Sequence, residues 1–130
     1  MIDKIAWIHV ADGRVLAARS RGKDKFYLPG GKREPGESDA ETLVREVREE
    51  LGVEIDTESI TPAGVFEGQA HGKAEGTVVR TTAYSAAYRG EPRACAEIEE
   101  IAWLGYADRG RVSLVAQLIF DHLRGTGQLR

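Results

Sequence analysis

Apolar residues recur along this chain with two different periods, which divide it into predicted strands and predicted helices. Runs rich in apolar and β-branched residues predict seven β-strands, at positions 4–10, 15–19, 26–28, 53–55, 63–67, 77–88 and 101–104. Apolar residues spaced three and four apart predict two helices, at positions 39–51 and 113–123. Strands flanked by two helices favour a mixed β-sheet between helical layers in an α/β fold.

Turn-forming and polar segments separate these elements. Asp12-Gly13 predicts the turn of an early β-hairpin, and Pro29-Gly30-Gly31 predicts a sharp turn after the third strand. The other connections are a polar loop at positions 20–25, a flexible loop at 69–76, a turn at 90–92 and a charged connector at 93–100. No repeat or linker divides the 130 residues, so we expect a single domain over positions 1–130.

Both predicted helices have a clear apolar face. In the first, Ser38 and Glu41 form the pattern of a capping box, and Gly52 is suited to end the helix. Its apolar stripe consists of Ala40, Leu43, Val44, Val47 and Leu51. In the second helix the predicted apolar face consists of Leu114, Val115, Leu118, Ile119 and Leu123.

A cluster of glutamates occupies another face of the first helix. Glu49 and Glu50 follow Glu46 by three and four positions, so the three side chains are neighbours on the helix surface. Arg45 lies four positions before Glu49. Close carboxylates raise each other's pKa, and a hard divalent cation with oxygen ligands relieves their repulsion. The cluster contains no His or Cys, which argues against zinc. The alternative is a solvated acidic face that pairs with Arg45 and Arg48.

The segment Gly31–Val53 matches the pattern G-x5-E-x7-R-E-U-x-E-E-x-G-U, where U is apolar, at every defined position. In this segment the chain resembles the Nudix family, and the order of its predicted elements agrees with that family. The resemblance implies an α/β/α sandwich with a mixed β-sheet between helices, and the use of Mg²⁺ or Mn²⁺. It also implies that the metal ligands are the carbonyl of Gly30 and the carboxylates of Glu46, Glu49 and Glu50.

The resemblance also implies catalytic roles. Arg45 is expected to orient the glutamates by charge-assisted hydrogen bonds, and Glu49 to act in catalysis as well as in metal binding. Glu97 lies six residues before Trp103, which matches the position of an additional acid in related enzymes. The general base is therefore either Glu46 or Glu97. The alternative is that Glu97 is only a solvated residue of the charged connector.

Composition restricts the partners and the compartment. The net charge is −3, with 42% hydrophobic and 30% charged residues, which is ordinary for a soluble globular protein and argues against binding extended nucleic acid. No apolar run is long enough to span a membrane, and the first residues do not resemble a signal peptide. The single Cys95 excludes an internal disulfide. We therefore expect a cytoplasmic protein, either a monomer or a homodimer.

The predicted reaction is hydrolysis of a phosphoanhydride bond in a nucleoside diphosphate linked to another group. The segment Gln69-Ala70-His71 lacks the Pro or Tyr that marks the ADP-ribose and dinucleoside polyphosphate branches of the family. This favours a nucleoside triphosphate or another small nucleotide as the substrate. The alternative from a different class is a non-catalytic nucleotide-binding or sensing module, although binding-only relatives usually lose one or more of the glutamates, and this chain keeps them all.

Overall fold

The computed structural model describes residues 1–130 as nine β-strands, two α-helices and two short 3-10 segments. The strands are β1 (Ile2–Trp7), β2 (Val10–Ala11), β3 (Arg14–Ser20), β4 (Gly30–Gly31), β5 (Glu54–Ile55), β6 (Thr61–Gln69), β7 (Val78–Ser85), β8 (Tyr88–Arg89) and β9 (Ile98–Leu104). The helices are α1 (Asp39–Leu51) and α2 (Leu114–Gly125). The 3-10 segments are Thr57–Ser59 and Tyr106–Arg111.

The strands form one mixed sheet and two antiparallel sheets. The mixed sheet has four strands in the order β4-β1-β7-β6, in which β1 and β7 are parallel and the other pairs are antiparallel. A three-stranded sheet has the order β2-β3-β9, and β5 pairs with β8. The mixed sheet predicted from the sequence is confirmed.

Neighbouring residues of β1 face opposite sides of the sheet, and each side packs on a different helix. Ile5 and Trp7 belong to the core that contains Val47 of α1. Ile8, just after β1, belongs to the core that contains Ile119 of α2. Burial of each such apolar side chain contributes roughly 1.5–3 kcal/mol to stability. The sheet layer therefore lies between two helices, which confirms the predicted α/β/α sandwich.

Both ends of α1 are fixed by the residues that the sequence indicates. The hydroxyl of Ser38 accepts a hydrogen bond from the backbone N–H of Glu41, and the Glu41 carboxylate accepts one from the N–H of Ser38. Gly52 adopts the left-handed conformation, with φ +70°, and its N–H donates to the carbonyl of Arg48 at 2.9 Å. The predicted bounds of α1 are confirmed at both ends. Neither helix combines the length and the apolar character that crossing a bilayer requires.

The apolar face of α2 is rotated relative to the prediction. Leu114 and Leu118 are about two-fifths exposed, whereas Ala116 and Phe120 are buried. Val115, Ile119 and Leu123 are buried as predicted. Apolar residues occur on several sides of α2, so the sequence does not determine which side is buried. Packing of α2 against β6 determines it.

Strand boundaries differ from the prediction where tertiary contacts decide pairing. The first predicted strand is divided, because β1 ends at Trp7 and β2 begins only at Val10, where the hairpin pairs with Val15. The charged connector is shorter than predicted, since β9 begins at Ile98 and pairs with Ser20 of β3.

The prediction of a strand at 26–28 is wrong. Phe26 and Tyr27 make only isolated bridges, to Val112 and Ala18. The strand β4 is formed instead by the two glycines that the sequence indicates as a turn, which pair with Ile5 and Ala6 of β1. The backbones approach so closely there that a Cβ on Gly30 would lie 2.0 Å from the carbonyl oxygen of Ile5. This pairing brings the start of the glutamate segment to the edge of the sheet.

Candidate active site

Helix α1 presents its glutamates to the edge of the sheet because its apolar face is fixed in the core. Leu43, Val47 and Leu51 are fully buried. Glu50 lies at the border of this core and is only 8% exposed. Its carboxylate accepts a hydrogen bond from the backbone N–H of Gly30 at 3.1 Å. The end of α1 and the β4 backbone are thus joined through one buried acid.

The surroundings of Glu50 favour its neutral form. Burial raises the pKa of its carboxyl to about 8, and the charges of Glu46, Glu97 and Glu49 act in the same direction. The hydrogen bond from Gly30 acts in the opposite direction but does not compensate. A buried carboxylate with this electrostatic cost is typical of a functional site, because a bound cation would restore its charged form.

Arg45 connects the acids at the other end of this cluster. Its Nε and Nη2 donate to the two carboxylate oxygens of Glu37 at 2.7 and 2.9 Å, and its Nη1 donates to Glu46 at 2.8 Å. Nη2 also donates to the carbonyl of Lys32 at 3.1 Å, while Glu49 lies 3.6 Å from Nη1. The hydrogen bonds that Glu37 accepts from Arg45, from the backbone N–H of Glu34 and from the hydroxyl of Thr42 lower its pKa to about 2. Arg45 therefore holds the chain before α1 against the first part of the glutamate cluster.

Glu46 is packed against the glycine loop. A Cβ added to Gly31 would lie 2.6 Å from the carboxyl carbon of Glu46 and 2.8 Å from both of its oxygens. Burial raises the pKa of the Glu46 carboxyl, and the hydrogen bond from Arg45 opposes that effect. The Glu46 carboxylate can therefore occupy this position only because Gly31 has no side chain.

We expect Gly31→Ala to displace the Glu46 carboxylate and leave the fold intact, because the clash involves only the end of a flexible side chain. A misplaced catalytic group lowers kcat by about tenfold or more. The measurement is kcat together with the thermal midpoint. Gly110→Ala is the matched control, since nothing lies within 4 Å of a Cβ at that position. Equal kcat in both variants would contradict a catalytic role for Glu46.

Glu97 reaches the same region from a different element. The N–H groups of Arg93 and Cys95 donate to the carbonyls of Leu51 and Glu50 at 3.0 and 2.9 Å, which fixes the connector to the end of α1. The backbone N–H of Arg21 donates to the carbonyl of Glu97 at 2.9 Å. The Glu97 side chain is exposed, and its charge contributes to the raised pKa of both Glu46 and Glu50.

The predicted ligands do not converge on one point. No three acidic, His or Cys side chains come close enough together to hold an ion. Glu46 is bonded to Arg45, Glu50 is bonded to Gly30, and the Glu49 side chain is about half exposed. All three glutamates lie within the last six residues of α1. The donor chemistry fits Mg²⁺ or Mn²⁺, because every side-chain donor is a carboxylate and Glu50 is buried without a cationic partner.

Glu50 and the two glycines of β4 also line a cavity of about 320 Å³ between the sheet and α2. The α2 side is largely apolar and includes Val115, Ala116 and Ile119. Glu50 is the only carboxylate in the lining, which also contains the four lysines Lys4, Lys23, Lys32 and Lys73. Such a wall favours a ligand that has an anionic part and an apolar or aromatic part.

By residue type, the cations Lys32, Arg19 and Arg80 could contact phosphates, and Tyr27 and His71 could border a nucleotide site. The structure divides these five residues into two groups. Lys32, Tyr27 and His71 line the cavity. Arg19 and Arg80 do not, and they form ion pairs with glutamates on the adjacent strands. Sequence reasoning missed the other three lysines of the cavity. For Lys4 a signal existed, because a lysine between apolar residues of a buried strand is unusual.

The sequence model of the NUDIX domain family matches residues 4–117. The matched region includes β4, all of α1, the connector that carries Glu97, and the start of α2. The chain belongs to the Nudix family. Divalent metals are generally used by Nudix hydrolases, and Gly31 and Glu50 of the acid-rich segment of this Nudix chain line its cavity.

Curated relatives carry the names of nucleotide-processing enzymes. The chain is 43% identical over 58 residues to the CTP pyrophosphohydrolase of Escherichia coli strain K12, covering 42% of this chain and 43% of that protein. It is 34% identical over 84 residues to a MutT-like protein of Streptomyces ambofaciens, covering 58% and 53% of the two chains. The matches thus span about half or less of these relatives.

Solved structures agree with the chain over more of its length. The solution structure of the E. coli ORF135 protein has a TM-score of 0.69 and 27% identity, covering 97% of this chain and 92% of that one. The MutT structure from Bacillus halodurans has a TM-score of 0.73 and 23% identity, covering 99% and 86%. The second likeness concerns the fold alone.

Proposed function

We propose that this Nudix protein is a metal-dependent pyrophosphohydrolase that acts on a small nucleotide. The observation that carries this proposal is the position of Glu50, a buried carboxylate of the complete glutamate segment that lies in the wall of a lysine-lined cavity. If the glutamates only formed a solvated helix face, burial of Glu50 beside the lysines of the cavity would have no purpose. The names of the relatives support the same class of reaction.

Mg²⁺ or Mn²⁺ is the proposed cofactor, held by Glu46, Glu49 and Glu50 together with the carbonyl of Gly30. When bound, such an ion neutralises phosphate oxygens and lowers the pKa of a water. The steep cost of burying Glu50 as an anion supports its place as a ligand, because the cation would stabilise the charge that burial disfavours.

The side chains of this protein supply the rest of the proposed chemistry. Glu46 or Glu97 accepts a proton from the attacking water. The water oxygen bonds to phosphorus, and the bond from phosphorus to the bridging oxygen breaks, so that the second phosphate leaves with the electron pair. Arg45 is a positioning residue in this scheme, since its hydrogen bond fixes Glu46.

The proposed substrate is a nucleoside triphosphate or a similarly small nucleotide, cleaved between the alpha and beta phosphorus to give the monophosphate and pyrophosphate. The size of the cavity and its combination of apolar residues with four lysines suit one nucleoside with its phosphates. We further propose that residues 1–130 act as a single domain, as a monomer or a homodimer. The cytoplasm is the compartment that we propose for it, from the single cysteine.

A product screen tests this function. The protein is incubated with nucleotides, nucleotide sugars and dinucleoside polyphosphates in ¹⁸O water, and the products are separated by chromatography. We expect a nucleoside monophosphate and a second phosphate fragment, with one ¹⁸O incorporated. Orthophosphate from simple monoesters as the main product would contradict the proposal. Binding of nucleotides without any turnover would instead favour the sensing module.

We expect chelation to abolish this activity, because the site offers only oxygen ligands, which hold hard divalent ions. EDTA should reduce the rate to background, and excess Mg²⁺ or Mn²⁺ should restore it. The rate before and after metal addition is the measurement, and the circular dichroism spectrum serves as the control for folding. Full turnover in the chelated sample would exclude the proposed cofactor.

A further inference from the structure

Lys4 lies at a position where the fold alone favours an apolar residue. It stands on β1 on the face of the sheet that packs on α2, between Ile2 and Ala6, and it lines the cavity with them. Its pKa is lowered, first by burial and then by Lys32 and Lys23. None of the ion pairs of the protein involves Lys4. A partly buried charge without an acidic partner costs stability.

The register of the sheet places a second lysine opposite the first. Ile5 pairs with Gly31 in the antiparallel pair of β1 and β4, so the same register puts Lys32 across from Lys4. Like charges across a strand pair destabilise it. Glu50 is the one acid whose charge favours the protonated form of Lys4, and this acid is the proposed metal ligand. Neither Lys4 nor Lys32 forms an ion pair with an acidic side chain, although both line the cavity.

A phosphate group has the charge and the size to fill this position. The nearest aromatic contact of Lys4 is the ring of Tyr27, whose centre lies 5.4 Å from Nζ, and this contact leaves the ammonium free to donate to a ligand. Charge-assisted hydrogen bonds from ammonium to phosphate are strong when partly desolvated. A carbonyl oxygen of a nucleobase would neutralise neither charge.

We propose that Lys4 is a substrate-binding residue that donates to a phosphate oxygen of the nucleotide, where the phosphates enter the cavity from the glutamate edge. This proposal rests on the proposed function for the class of substrate. Lys4 thereby favours polyphosphate ligands over neutral ones, and Lys32 adds a second positive charge on the neighbouring strand.

The test is calorimetric titration in EDTA, without divalent metal, using two probes. Sodium tripolyphosphate has phosphates and no base, and uridine has carbonyl oxygens and no phosphate. We expect Lys4→Met to weaken tripolyphosphate binding by about tenfold or more, whereas Lys4→Arg should retain most of it. Lys25→Met is the matched control, because Lys25 is outside the cavity and donates to the carbonyl of Gly110. Lys25→Met removes one positive charge without changing the lining of the cavity.

Two results would overturn the proposal. One is equal tripolyphosphate affinity in the wild type and Lys4→Met, including no binding by either. The other is loss of uridine binding only, which would assign Lys4 to a carbonyl. Acetylation footprinting of the wild type covers the case in which Lys4→Met does not fold: tripolyphosphate should protect Lys4 and not Lys25, and equal labelling would overturn the proposal. These measurements record binding and labelling and do not require turnover. A failure of the hydrolysis screen can therefore be distinguished from a failure of the Lys4 proposal.

Discussion

Glu50→Gln is expected to lower kcat by about 10²-fold or more, the scale of a lost metal ligand or acid-base group. The substitution keeps the size of the side chain and an oxygen that can accept the hydrogen bond from Gly30. It removes the negative charge that would hold a cation at the border of the cavity. The measurement is steady-state kinetics with saturating Mg²⁺ on the best substrate from the screen.

The same variant should be more stable than the wild type in EDTA at neutral or alkaline pH. The folded-state pKa of Glu50 is raised to about 8 from an ordinary value of 4.5. Between these values the folded state binds more protons than the unfolded state, so the wild type loses stability as the pH rises through this window. Glutamine does not titrate. The stability advantage of Glu50→Gln should therefore be present at pH 8 and decline toward pH 4.5 in urea unfolding curves.

Two controls separate chemistry from folding. Glu91→Gln removes an exposed acid in the loop after β8 and should change neither kcat nor stability. Val47→Ala should do the reverse of Glu50→Gln: it removes fully buried methyl groups and costs about 1–3 kcal/mol of stability, with the glutamates unchanged. If Glu50→Gln lost stability in EDTA and kept its kcat, the buried acid would be structural.

Gly30→Ala is expected to lower both stability and activity. The φ of Gly30 is +145°, and a Cβ there would lie 2.0 Å from the carbonyl oxygen of Ile5 and 2.9 Å from the Cα of Ala6. Because these contacts are backbone atoms, β4 must separate from β1. Backbone strain and overpacking together cost about 2–5 kcal/mol. The hydrogen bond to Glu50 is lost with the strand pairing, so kcat should fall as well.

The matched control for this variant is Gly22→Ala. Gly22 also has a positive φ, +81°, but nothing lies within 4 Å of a Cβ there. Its substitution measures the conformational cost alone, about 1 kcal/mol. Chemical unfolding and kinetics of both variants are compared with the wild type. If Gly30→Ala lost no more stability than Gly22→Ala, the close approach of β1 and β4 would not constrain the site.

Arg45 explains why the acidic segment remains ordered despite its charge. Its guanidinium bonds Glu37 and Glu46 and also the carbonyl of Lys32. The three partners come from the loop before α1 and from α1 itself, so one side chain fixes their relative positions. Bidentate arginine to carboxylate geometry, as at Glu37, gives direction as well as charge.

Local sequence alone determined the bounds of α1 and the face on which its acids lie. The capping box of Ser38 and Glu41 and the left-handed Gly52 act through contacts within four residues, so no distant part of the chain is needed to predict them. The period of the apolar residues also decides that Val47 is inside and Glu46 and Glu49 are on another side. The family and its acid cluster follow from this one segment.

Distant contacts decided what the sequence could not. Whether Gly30 and Gly31 form a turn or a strand depends on how closely β1 approaches, and Phe26 and Tyr27 lose their predicted strand to the same arrangement. Glu50 is buried and bonded to the backbone of β4, whereas its neighbour Glu49 is exposed, and the sequence does not distinguish the two.

Lys4 shows the same division between sequence and tertiary structure. The sequence shows a lysine in an apolar strand, and only the parallel pairing with β7 and the packing of α2 place it in a cavity wall. Side-chain period fixes which face of an element is buried, but the partner that covers that face is set by contacts between residues far apart in the chain. For this reason the helix face that carries the glutamates was predictable from the sequence, whereas the packing that brings Lys4, Lys23 and Lys73 into one cavity wall was not.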